Sequence, residues 1–306
     1  MMKLKKLAAL LLAMVMTFAM VGCGGAAIEG EGEADANYEG NGSIGLSVST
    51  LSNPFFVTLA DGAQKKADEA GVTLITVDAG DDAAKQVSDI EDLISKKISV
   101  LIVNPVDSDA VAPAVEAAIQ KGIKVIAVDR VVNGVEVDCS IASDNVAGAE
   151  MATNYLVELV GEGAEVAELE GVTGASATID RGQGFHNVAD TKLNVVAKQT
   201  ASFDRAEGMS VMENILQAQP GIKGVFAHND EMALGALEAA AGKDIVIIGF
   251  DATDDALASI AAGGMAATIA QQPDLMGATA VETAIKLIAG ETVEKNLPVE
   301  VKLVTE

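Results

Sequence analysis

The chain has 306 residues, of which 50% are hydrophobic and only 3% are aromatic, and its length suits two domains better than one small core. It carries 20 Lys and Arg residues against 45 Asp and Glu residues, which gives a formal net charge of −25. A field of that sign repels phosphate backbones and anionic lipid headgroups, so we expect no nucleic-acid partner.

Residues 1–23 have the layout of an export signal. Three lysines precede an uncharged apolar run at positions 7–21, which is shorter than the ~20 residues that a membrane-spanning helix needs. The run ends in Met20-Val21-Gly22-Cys23, which resembles a bacterial lipobox, in which the cysteine is lipidated and becomes the new N-terminus. We therefore expect a lipoprotein signal peptide at 1–22 and lipidation at Cys23. An uncleaved membrane anchor or a plain signal with a chance cysteine are the alternatives.

Residues 23–41 are predicted to form a flexible acidic tether. Gly, Ala, Glu, Asp and Asn dominate the segment, and almost nothing in it can be buried. Removing residues 1–22 deletes three lysines and no acid, which leaves 17 basic against 45 acidic residues, or −28. The acidity therefore belongs to the exported part of the chain.

Apolar, β-branched runs alternate with segments of helical spacing after the tether. Strands are predicted at Ile44–Ser49, Val72–Val77, Ile98–Val103 and Ile123–Val128. Helices are predicted between them at Phe56–Ala70, Ala83–Lys96 and Ala110–Lys121. Near-continuously apolar strands that alternate with helices are typical of βαβ units in a parallel sheet covered on both faces.

The same pattern starts again near Asp144. Strands are predicted at Val166–Leu169, Val195–Gln199, Val225–Ala227 and Ile245–Phe250, with helices near 176–190, 206–218 and 230–241. The chain is therefore expected to form an α/β protein with two Rossmann-like lobes, each built on a parallel sheet.

Polar residues follow the predicted strands where each strand ends. They are Ser49, Asn53, Asp78, Asn104, Asp129, Arg130, Asn229, Asp230 and Asp251. Ligands of open parallel sheets bind beyond the carboxyl ends of the strands. Two such sheets facing each other would bring these groups to one small ligand, which is the geometry of a hinged binding protein.

Three patterns that could indicate a cofactor, a metal or catalysis lack the required surroundings. Gly40–Gly45 fits G-x-G-x-x-G, but it precedes the first strand and cannot form a strand-to-helix phosphate turn. Asp78–Asp89 is rich in carboxylates but has Ala83 where a calcium loop needs glycine. His186 and His228 lack ligand-spaced neighbours, so neither a zinc site nor a catalytic triad is indicated. We expect no catalytic residue, metal or cofactor.

Six motifs, in order from about residue 43 to the C-terminus, resemble a known family. They are Ser49–Phe56 (STLSNPFF), Val128–Arg130 (VDR), Ile141–Asn145 (IASDN), Asn229–Ala236 (NDEMALGA), Gly249–Asp251 (GFD) and Ala267–Gln271 (ATIAQ). The set is similar to the D-ribose-binding proteins, the extracytoplasmic components of bacterial ABC importers. The resemblance implies a type I periplasmic binding protein whose lobes are joined by a three-strand hinge.

The resemblance also implies the ligand-binding residues. A Ser, an Asn and two Phe after the first strand hold the sugar in that family, and they correspond to Ser49, Asn53, Phe55 and Phe56. An Asp-Arg pair after the fourth strand corresponds to Asp129 and Arg130. The second lobe contributes the counterparts Arg181, Phe203, Asn229, Asp251 and Gln271.

The side-chain chemistry of these residues agrees with a neutral sugar. Asp129 and Asp251 only accept hydrogen bonds, whereas Arg130 and Arg181 only donate them, so the pocket has no net formal charge. The three phenylalanines offer apolar faces to the C–H groups of a sugar ring. Allose, another pentose or a furanosyl signalling molecule remain alternative ligands.

We therefore expect an exported binding protein that is lipid-anchored on the outer face of the cell membrane, or periplasmic. Two other classes of protein fit the sequence less well. A sugar-responsive transcription regulator shares this fold, but it needs an N-terminal DNA-binding motif and a basic surface that the chain lacks. An enzyme needs a nucleophile and a base, and no such constellation is present. The expected protein is a monomer that binds D-ribose and delivers it to the membrane subunits of an ABC permease.

The resemblance further implies three hinge crossings, near Ser143, Gln271 and Pro298. The N-terminal lobe is then expected to comprise residues 42–143 and 272–297. The C-terminal lobe is expected to comprise residues 144–271 and 298–306. Each lobe would be discontinuous in sequence.

Overall fold

The computed structural model describes residues 39–305. The predicted signal peptide at 1–22, the predicted lipidation site Cys23 and most of the predicted tether at 23–41 lie outside the described residues. Within 39–305, no helix has both the length and the apolar character needed to cross a membrane.

The described chain alternates strands and helices. The strands are β1 (Ile44–Val48), β2 (Leu74–Asp78), β3 (Val100–Val103), β4 (Lys124–Val128), β5 (Cys139–Ser143), β6 (Glu165–Glu170), β7 (Asn194–Thr200), β8 (Gly224–Ala227), β9 (Val246–Ile248), β10 (Thr268–Ala270), β11 (Asn296–Val299) and β12 (Lys302–Val304). The helices are α1 (Pro54–Ala70), α2 (Ala83–Ser95), α3 (Ala112–Gln120), α4 (Asn145–Val160), α5 (Ser176–Lys192), α6 (Arg205–Ala218), α7 (Asp230–Ala239), α8 (Asp254–Ala261) and α9 (Pro273–Ile288).

The first lobe is built on a six-stranded parallel sheet with the strand order β11-β5-β4-β3-β1-β2. Every residue of β1 and β3 is buried because helices cover both faces of the sheet. One face packs against α1 and α9, and the other against α2 and α3. The burial of Ile, Val and Leu on these strands supplies the hydrophobic stabilisation of this lobe.

The second lobe is built on a four-stranded parallel sheet with the strand order β7-β6-β8-β9. Helices α6 and α7 pack on one face with Leu169 and Val225. Helices α4 and α5 pack on the other face, where Phe185 and Phe226 stack at 5.4 Å between ring centroids. Isolated parallel bridges join Ile248 at the end of β9 to Ala267, and Asp251 to Ala270 in β10. Strand β10 also pairs antiparallel with β12.

The chain passes between the two lobes three times. It leaves the first sheet after β5 and enters α4, it returns from β10 into α9, and it leaves again between β11 and β12. Helix α9 then packs along α1, where the backbone of Asp274 approaches Gly62 and the backbone of Leu59 approaches Gly277. Two α/β lobes joined by three crossings confirm the predicted fold class.

The predicted strands and helices agree with the structure to within a few residues. Helix α1 starts two residues earlier than predicted because Asn53 caps it and Pro54 occupies its first turn. It ends as predicted before Gly71, which has a φ of 68°. The elements β5, α4, α8, β10, α9, β11 and β12 were not predicted. The lobe boundaries at 143, 271 and 297 stay a prediction.

Candidate ligand-binding site

A narrow cavity lies where the carboxyl ends of the two sheets face each other. Its lining residues come from both lobes and are Asn53, Phe55, Phe56, Asp129, Arg130, Ala177, Arg181, Phe203, Asn229, Asp251 and Gln271. Each of the predicted side chains among them is at most 9% exposed. The cavity therefore combines four formal charges, three amides and three aromatic rings in a space that is largely closed to solvent.

The start of α1 supplies one apolar wall. The Asn53 side chain accepts a hydrogen bond from the Phe55 backbone N–H at 2.9 Å, which fixes the first turn of the helix. Phe55 and Phe56 then meet edge to face, with their centroids 5.1 Å apart. Adjacent helical residues point about 100° apart, yet both rings are buried and both reach the cavity.

An amide network orients the first charged pair. Asn104, at the end of β3, donates from Nδ2 to Asp129 Oδ2 at 3.0 Å and to the Val128 carbonyl at 3.2 Å. Gln86 in α2 donates to the Asn104 carbonyl at 2.8 Å. Arg130 donates from Nη1 to the Pro105 carbonyl at 2.8 Å. Neutral amides and carbonyls thus hold the charges of the first lobe.

Arg130 contacts aromatic rings of both lobes. Its guanidinium lies 5.1 Å from the centroid of the Phe56 ring in the first lobe and 5.4 Å from the Phe203 ring in the second lobe. Cation–π contacts of this kind are strongest where water is excluded. Burial lowers the pKa of Arg130, which Asp129 and Asp81 counteract, and the group still stays protonated at neutral pH.

Arg181 occupies the corresponding position in the second lobe. Its Nε donates to Asn145 Oδ1 at 2.8 Å, and its Nη1 donates to the His228 carbonyl at 2.6 Å. The guanidinium lies 3.8 Å from the centroid of Phe250, and its Nη1 is 3.7 Å from Asp251 Oδ1. These four neighbours determine which face of the guanidinium reaches the cavity.

Phe203 supplies the aromatic wall of the second lobe. The residue has a φ of 61° and lies between β7 and α6. A Cβ on Gly171 would come within 2.0 Å of its ring, so the backbone of that loop approaches the ring closely. Asn229 donates from Nδ2 to the Phe203 carbonyl at 3.2 Å and also caps α7 by accepting from the Met232 N–H at 3.0 Å. The ring and the amide are therefore held together.

The carboxylates of the second lobe are strongly perturbed. Burial raises the pKa of Asp251 well above its usual range, Arg181 counteracts this shift and the neighbouring Asp230 adds to it. Burial also raises the pKa of Asp230 to about 7. Asp230 accepts hydrogen bonds from Thr268 Oγ1 at 2.6 Å and from the Thr253 N–H at 2.8 Å. Two buried carboxylates behind one arginine make this side of the cavity sensitive to protonation.

Three cavity residues carry a buried polar atom with no protein hydrogen-bond partner among the described residues. They are Asp129 Oδ1, Arg130 Nε and Gln271 Oε1. Buried polar groups are almost always hydrogen-bonded, so such atoms in a cavity point to a polar ligand. Two acceptors and one donor match hydroxyl groups, which both donate and accept.

The backbone is strained where the strands end at the cavity. Asp129, Phe203 and Asp251 have φ values of 63°, 61° and 128°. Positive φ values are rare for residues other than glycine and cluster at ligand sites. The strain positions these three side chains towards the cavity.

The two lobes also contact each other directly beside the cavity. The Ser108 N–H donates to the Gly174 carbonyl at 3.0 Å, and Ser108 Oγ accepts from the Ser176 N–H at 3.2 Å. Ser176 Oγ in turn accepts from the Val131 N–H at 3.1 Å. The structure is therefore a closed form of the protein.

Ten of the eleven residues predicted from the sequence line the cavity, and Ala177 was missed. Ser49 lies behind the cavity, where its N–H donates to Asn104 Oδ1 at 3.1 Å and its own hydroxyl has no protein partner among the described residues. Within the described range, no group of His, Cys, Asp and Glu side chains is arranged to hold a metal ion. The binding role of each residue stays a prediction.

Sequence analysis also missed the residues that support the site. Gln86, Asn145 and Glu168 are polar residues that the structure buries. A carboxylate inside the predicted apolar strand 166–169 was the available signal for Glu168. Sequence analysis gave His186 and His228 no role, and it missed that both contact Glu168.

Comparison with known proteins identifies the family of this chain. Residues 44–292 match the family model described as a periplasmic binding protein domain. The chain belongs to the periplasmic binding protein family. The ribose import binding protein of Bacillus subtilis is 54% identical over 86% of this chain and 87% of its own length. The ribose import binding protein of Escherichia coli is 49% identical over 89% of this chain and 93% of its own length.

A solved structure supports the same family. The myo-inositol binding protein of Caulobacter, bound to myo-inositol, superposes with a TM-score of 0.83 at 32% identity and covers 89% of this chain and 95% of that chain. The relatives are import binding proteins and not enzymes. Membership of this family implies that this binding protein is exported and acts outside the cytoplasm.

Proposed function

We propose that this chain is the substrate-binding lipoprotein of an ABC sugar importer, which binds D-ribose between its lobes and delivers it to the permease. The observation that carries the proposal is the composition of the cavity. Asp129 and Asp251 balance Arg130 and Arg181, three phenylalanine rings flank them, and unpartnered donors and acceptors remain. The ribose import binding proteins that are about half identical to this chain support the same ligand.

The cavity suits a neutral ligand with many hydroxyl groups. A carboxylated or phosphorylated sugar would add a negative charge to a buried site whose formal charges already balance. Each ligand hydroxyl can donate to a carboxylate and accept from a guanidinium or amide. A site that bonds each hydroxyl rejects analogues that leave its own groups unpaired, so we expect discrimination between sugars.

Closure of the lobes is the step that a permease can recognise. A sugar that contacts both lobes favours the closed form by its greater affinity for that form. The Arg130 guanidinium lies 5.4 Å from the centroid of the Phe203 ring of the other lobe, so a ligand that contacts both side chains bridges the lobes. The three crossings between the lobes provide the hinge itself.

Calorimetric titration tests the proposed ligand. We expect D-ribose to bind at micromolar concentrations or below, and D-ribose 5-phosphate, which differs by one charged group, to bind far more weakly. The absence of ribose binding below the millimolar range would end the ribose assignment. Tighter binding of D-allose, another pentose or a furanosyl compound would assign the alternative ligand instead.

The myo-inositol binding protein of Caulobacter, which was solved with myo-inositol bound, supports keeping a ligand other than ribose as the alternative. Myo-inositol is another neutral ligand that bears many hydroxyl groups, so the same fold accommodates more than one polyol. We therefore include myo-inositol in the titration series. Binding of myo-inositol in preference to ribose would assign the protein to a different sugar class within the same transport function.

The proposal includes lipidation at Cys23 and anchoring to the outer face of the cell membrane. Mass spectrometry of the mature N-terminus is the direct test, with Cys23→Ser as the control. We expect a diacylglyceryl-modified cysteine at the N-terminus of the native protein and release of the variant from the membrane. An unmodified cysteine would contradict the anchoring. Size-exclusion chromatography tests the expected monomer.

A further inference from the structure

Behind the cavity, the second lobe contains a buried carboxylate that does not line the ligand site. Glu168 lies in the centre of β6 between the core residues Ala167 and Leu169, and its side chain is 0% exposed. A charge in such a place is costly unless it is paired and hydrogen-bonded. Its Oε1 lies 2.9 Å from His228 Nε2, and its Oε2 lies 3.0 Å from His186 Nε2.

The two histidines on this carboxylate lead in different directions. His228 is fully buried at the end of β8, where its carbonyl accepts from Arg181 and its successor in the chain is Asn229. His186 is 30% exposed on α5, and its Nδ1 lies 2.7 Å from Asp190 Oδ1. One histidine thus connects Glu168 to the cavity, whereas the other connects it to the surface.

Helix α5 passes beside the pair. A Cβ on Gly182, the residue after Arg181, would lie at ordinary van der Waals distance from it, 3.5 Å from Glu168 Oε1 and 3.6 Å from the His228 ring. The His228 ring also lies 5.5 Å from the Phe226 ring in the core. The direct link between His228 and Arg181 is the hydrogen bond from the Arg181 guanidinium to the His228 carbonyl.

The charges around the pair favour one protonation state. Burial lowers the pKa of His228 and Arg181 lowers it further, against the opposing effect of Glu168 and Glu170. Burial acts to raise the pKa of Glu168, but the hydrogen bond from His228 and the charges of His186 and Lys198 outweigh it, so the net shift is downward. Lys198 Nζ lies 3.7 Å from Glu168 Oε2.

A neutral imidazole beside an ionised carboxylate has one consistent hydrogen-bond arrangement. His228 donates from Nε2 to Glu168, which leaves Nδ1 without a proton and without a protein partner among the described residues. This arrangement avoids a second positive charge next to Arg181. It also holds the imidazole at one fixed distance from the strand.

We propose that Glu168 and His228 form a positioning pair for the second-lobe half of the binding site. The carboxylate fixes the His228 ring, and the His228 backbone in turn fixes the guanidinium of Arg181 and the amide of Asn229. Neither side chain lines the cavity, so both act through the residues that do. The consequence for ribose affinity depends on the proposed function, whereas the effect on Arg181 does not.

Three variants test the pair. His228→Leu removes the donor, His228→Gln keeps a neutral donor, and His186→Gln is the matched control on the same carboxylate. Ribose affinity is measured by calorimetry, and the Arg181 Nε–Hε resonance of the ligand-free protein is measured by NMR. Thermal unfolding establishes that each variant is folded.

We expect His228→Leu to weaken ribose binding by about tenfold, which is the effect of losing one hydrogen bond that orients a charged group. His228→Gln should stay within about threefold of the original protein, because it restores the donor. His186→Gln should leave both the affinity and the Arg181 resonance unchanged. In the ligand-free protein, His228→Leu should shift the Arg181 resonance.

Two results would overturn the proposal. One is a folded His228→Leu variant with unchanged affinity and an unchanged Arg181 resonance. The other is a loss of affinity in His186→Gln equal to that in His228→Leu, which would make Glu168 a general support of the lobe. If the original protein does not bind ribose, the proposed function fails, and the Arg181 resonance still decides the positioning pair.

A measurement on the original protein covers the case in which His228→Leu does not fold. The ¹⁵N resonances of the His228 ring should report the Nε2-protonated neutral form at neutral pH, and the ring should become protonated only below the ordinary pKa of histidine. The neighbouring charged groups in this titration are Glu168, Glu170, Arg181, Lys198 and the more distant His186. Titration of His228 near its ordinary pKa, or protonation at Nδ1, would overturn the pairing.

Discussion

The two halves of the cavity hold their charges by different means. In the first lobe, Asp129 and Arg130 are neighbours in sequence, and the neutral side chain of Asn104 and the carbonyl of Pro105 orient them. In the second lobe, Arg181 and Asp251 are far apart in sequence, the amides of Asn145 and Gln271 bond them, and ionisable groups stand behind them as well. Asp230 and the pair of Glu168 and His228 are the closest of these.

This difference has a consequence for how each half responds to its surroundings. Burial raises the pKa of Asp129 in the first half too, but Arg130, Arg181 and the hydrogen bond from Asn104 counteract that shift. In the second half, the neighbouring carboxylate of Asp230 adds to the rise in the pKa of Asp251, because like charges in a buried site raise each other's pKa. We therefore expect protonation to alter the second half more than the first.

The largest expected effect comes from breaking the first half at Arg130. Arg130→Ala leaves the buried Asp129 carboxylate without its cation and removes a contact with rings of both lobes. We expect it to cost about 2–5 kcal/mol of ribose binding free energy. Calorimetry measures the loss. Arg205→Ala is the control, because Arg205 pairs with Glu231 and Asp255 outside the cavity. Unchanged affinity in Arg130→Ala would refute the site.

The next effect concerns Asp230 in the second half, whose ionisation should make the stability of the protein depend on pH. The pKa of Asp230 is raised to about 7 in the folded protein, so the unfolded chain ionises first as the pH rises. Asp230 therefore contributes stability at low pH that is lost as the pH rises to about 7. Asp230→Asn removes this loss, and we expect it to gain about 2 kcal/mol relative to the original protein between pH 5 and pH 8.

Urea unfolding at the two pH values measures the gain in Asp230→Asn. The exposed Asp92→Asn is the matched control and should change stability equally at both pH values. If the stability of Asp230→Asn depended on pH in the same way as that of the original protein, protonation would affect the second half no more than the first.

A smaller effect is expected from the amide network of the first half. Asn104→Leu removes the donor to Asp129 and leaves the Ser49 N–H without its acceptor. The expected loss of ribose binding free energy is about 1–2 kcal/mol. The exposed Asn154→Leu serves as the control. Unchanged affinity in Asn104→Leu would show that the amide network does not support the first half of the site.

The smallest effect concerns the aromatic wall of the second half. Phe203→Ala removes the ring near Arg130 and Arg181 without changing the charge balance. We expect a loss of about 1 kcal/mol in ribose binding, with ribose 5-phosphate still rejected. Phe185→Leu, which alters a core ring away from the cavity, should lower stability but leave affinity intact. An unchanged dissociation constant in Phe203→Ala would make this ring a packing residue only.

Sequence patterns predicted those strands and helices whose partners are local or uniformly apolar. The burial of β1 and β3 on both faces agrees with their continuous apolar sequence. By contrast, β10, β11 and β12 are three or four residues long and lie at the crossings between lobes. Strands so short contain too few residues to display a period, so only pairing with distant strands defines them.

The residues that support the site show more clearly that sequence patterns predict only local contacts. Asn53 could be predicted as a helix cap because its partner is two residues away. His228 and Glu168 are 60 residues apart, and neither has a local pattern that indicates the other. Their contact exists because β6 and β8 are adjacent parallel strands, which places Glu168 opposite Phe226, two residues before His228.

By itself, the sequence determined the alternation of strands and helices, the fold class and a set of residues whose formal charges balance. Tertiary structure decided that ten of these residues line one cavity, that Ser49 stands behind it, and that Asp230 and the Glu168–His228 pair stand behind the second half. The physical reason is that periodicity records which face of an element is buried. Hydrogen bonds and charge coupling between distant segments arise only after the sheets align them.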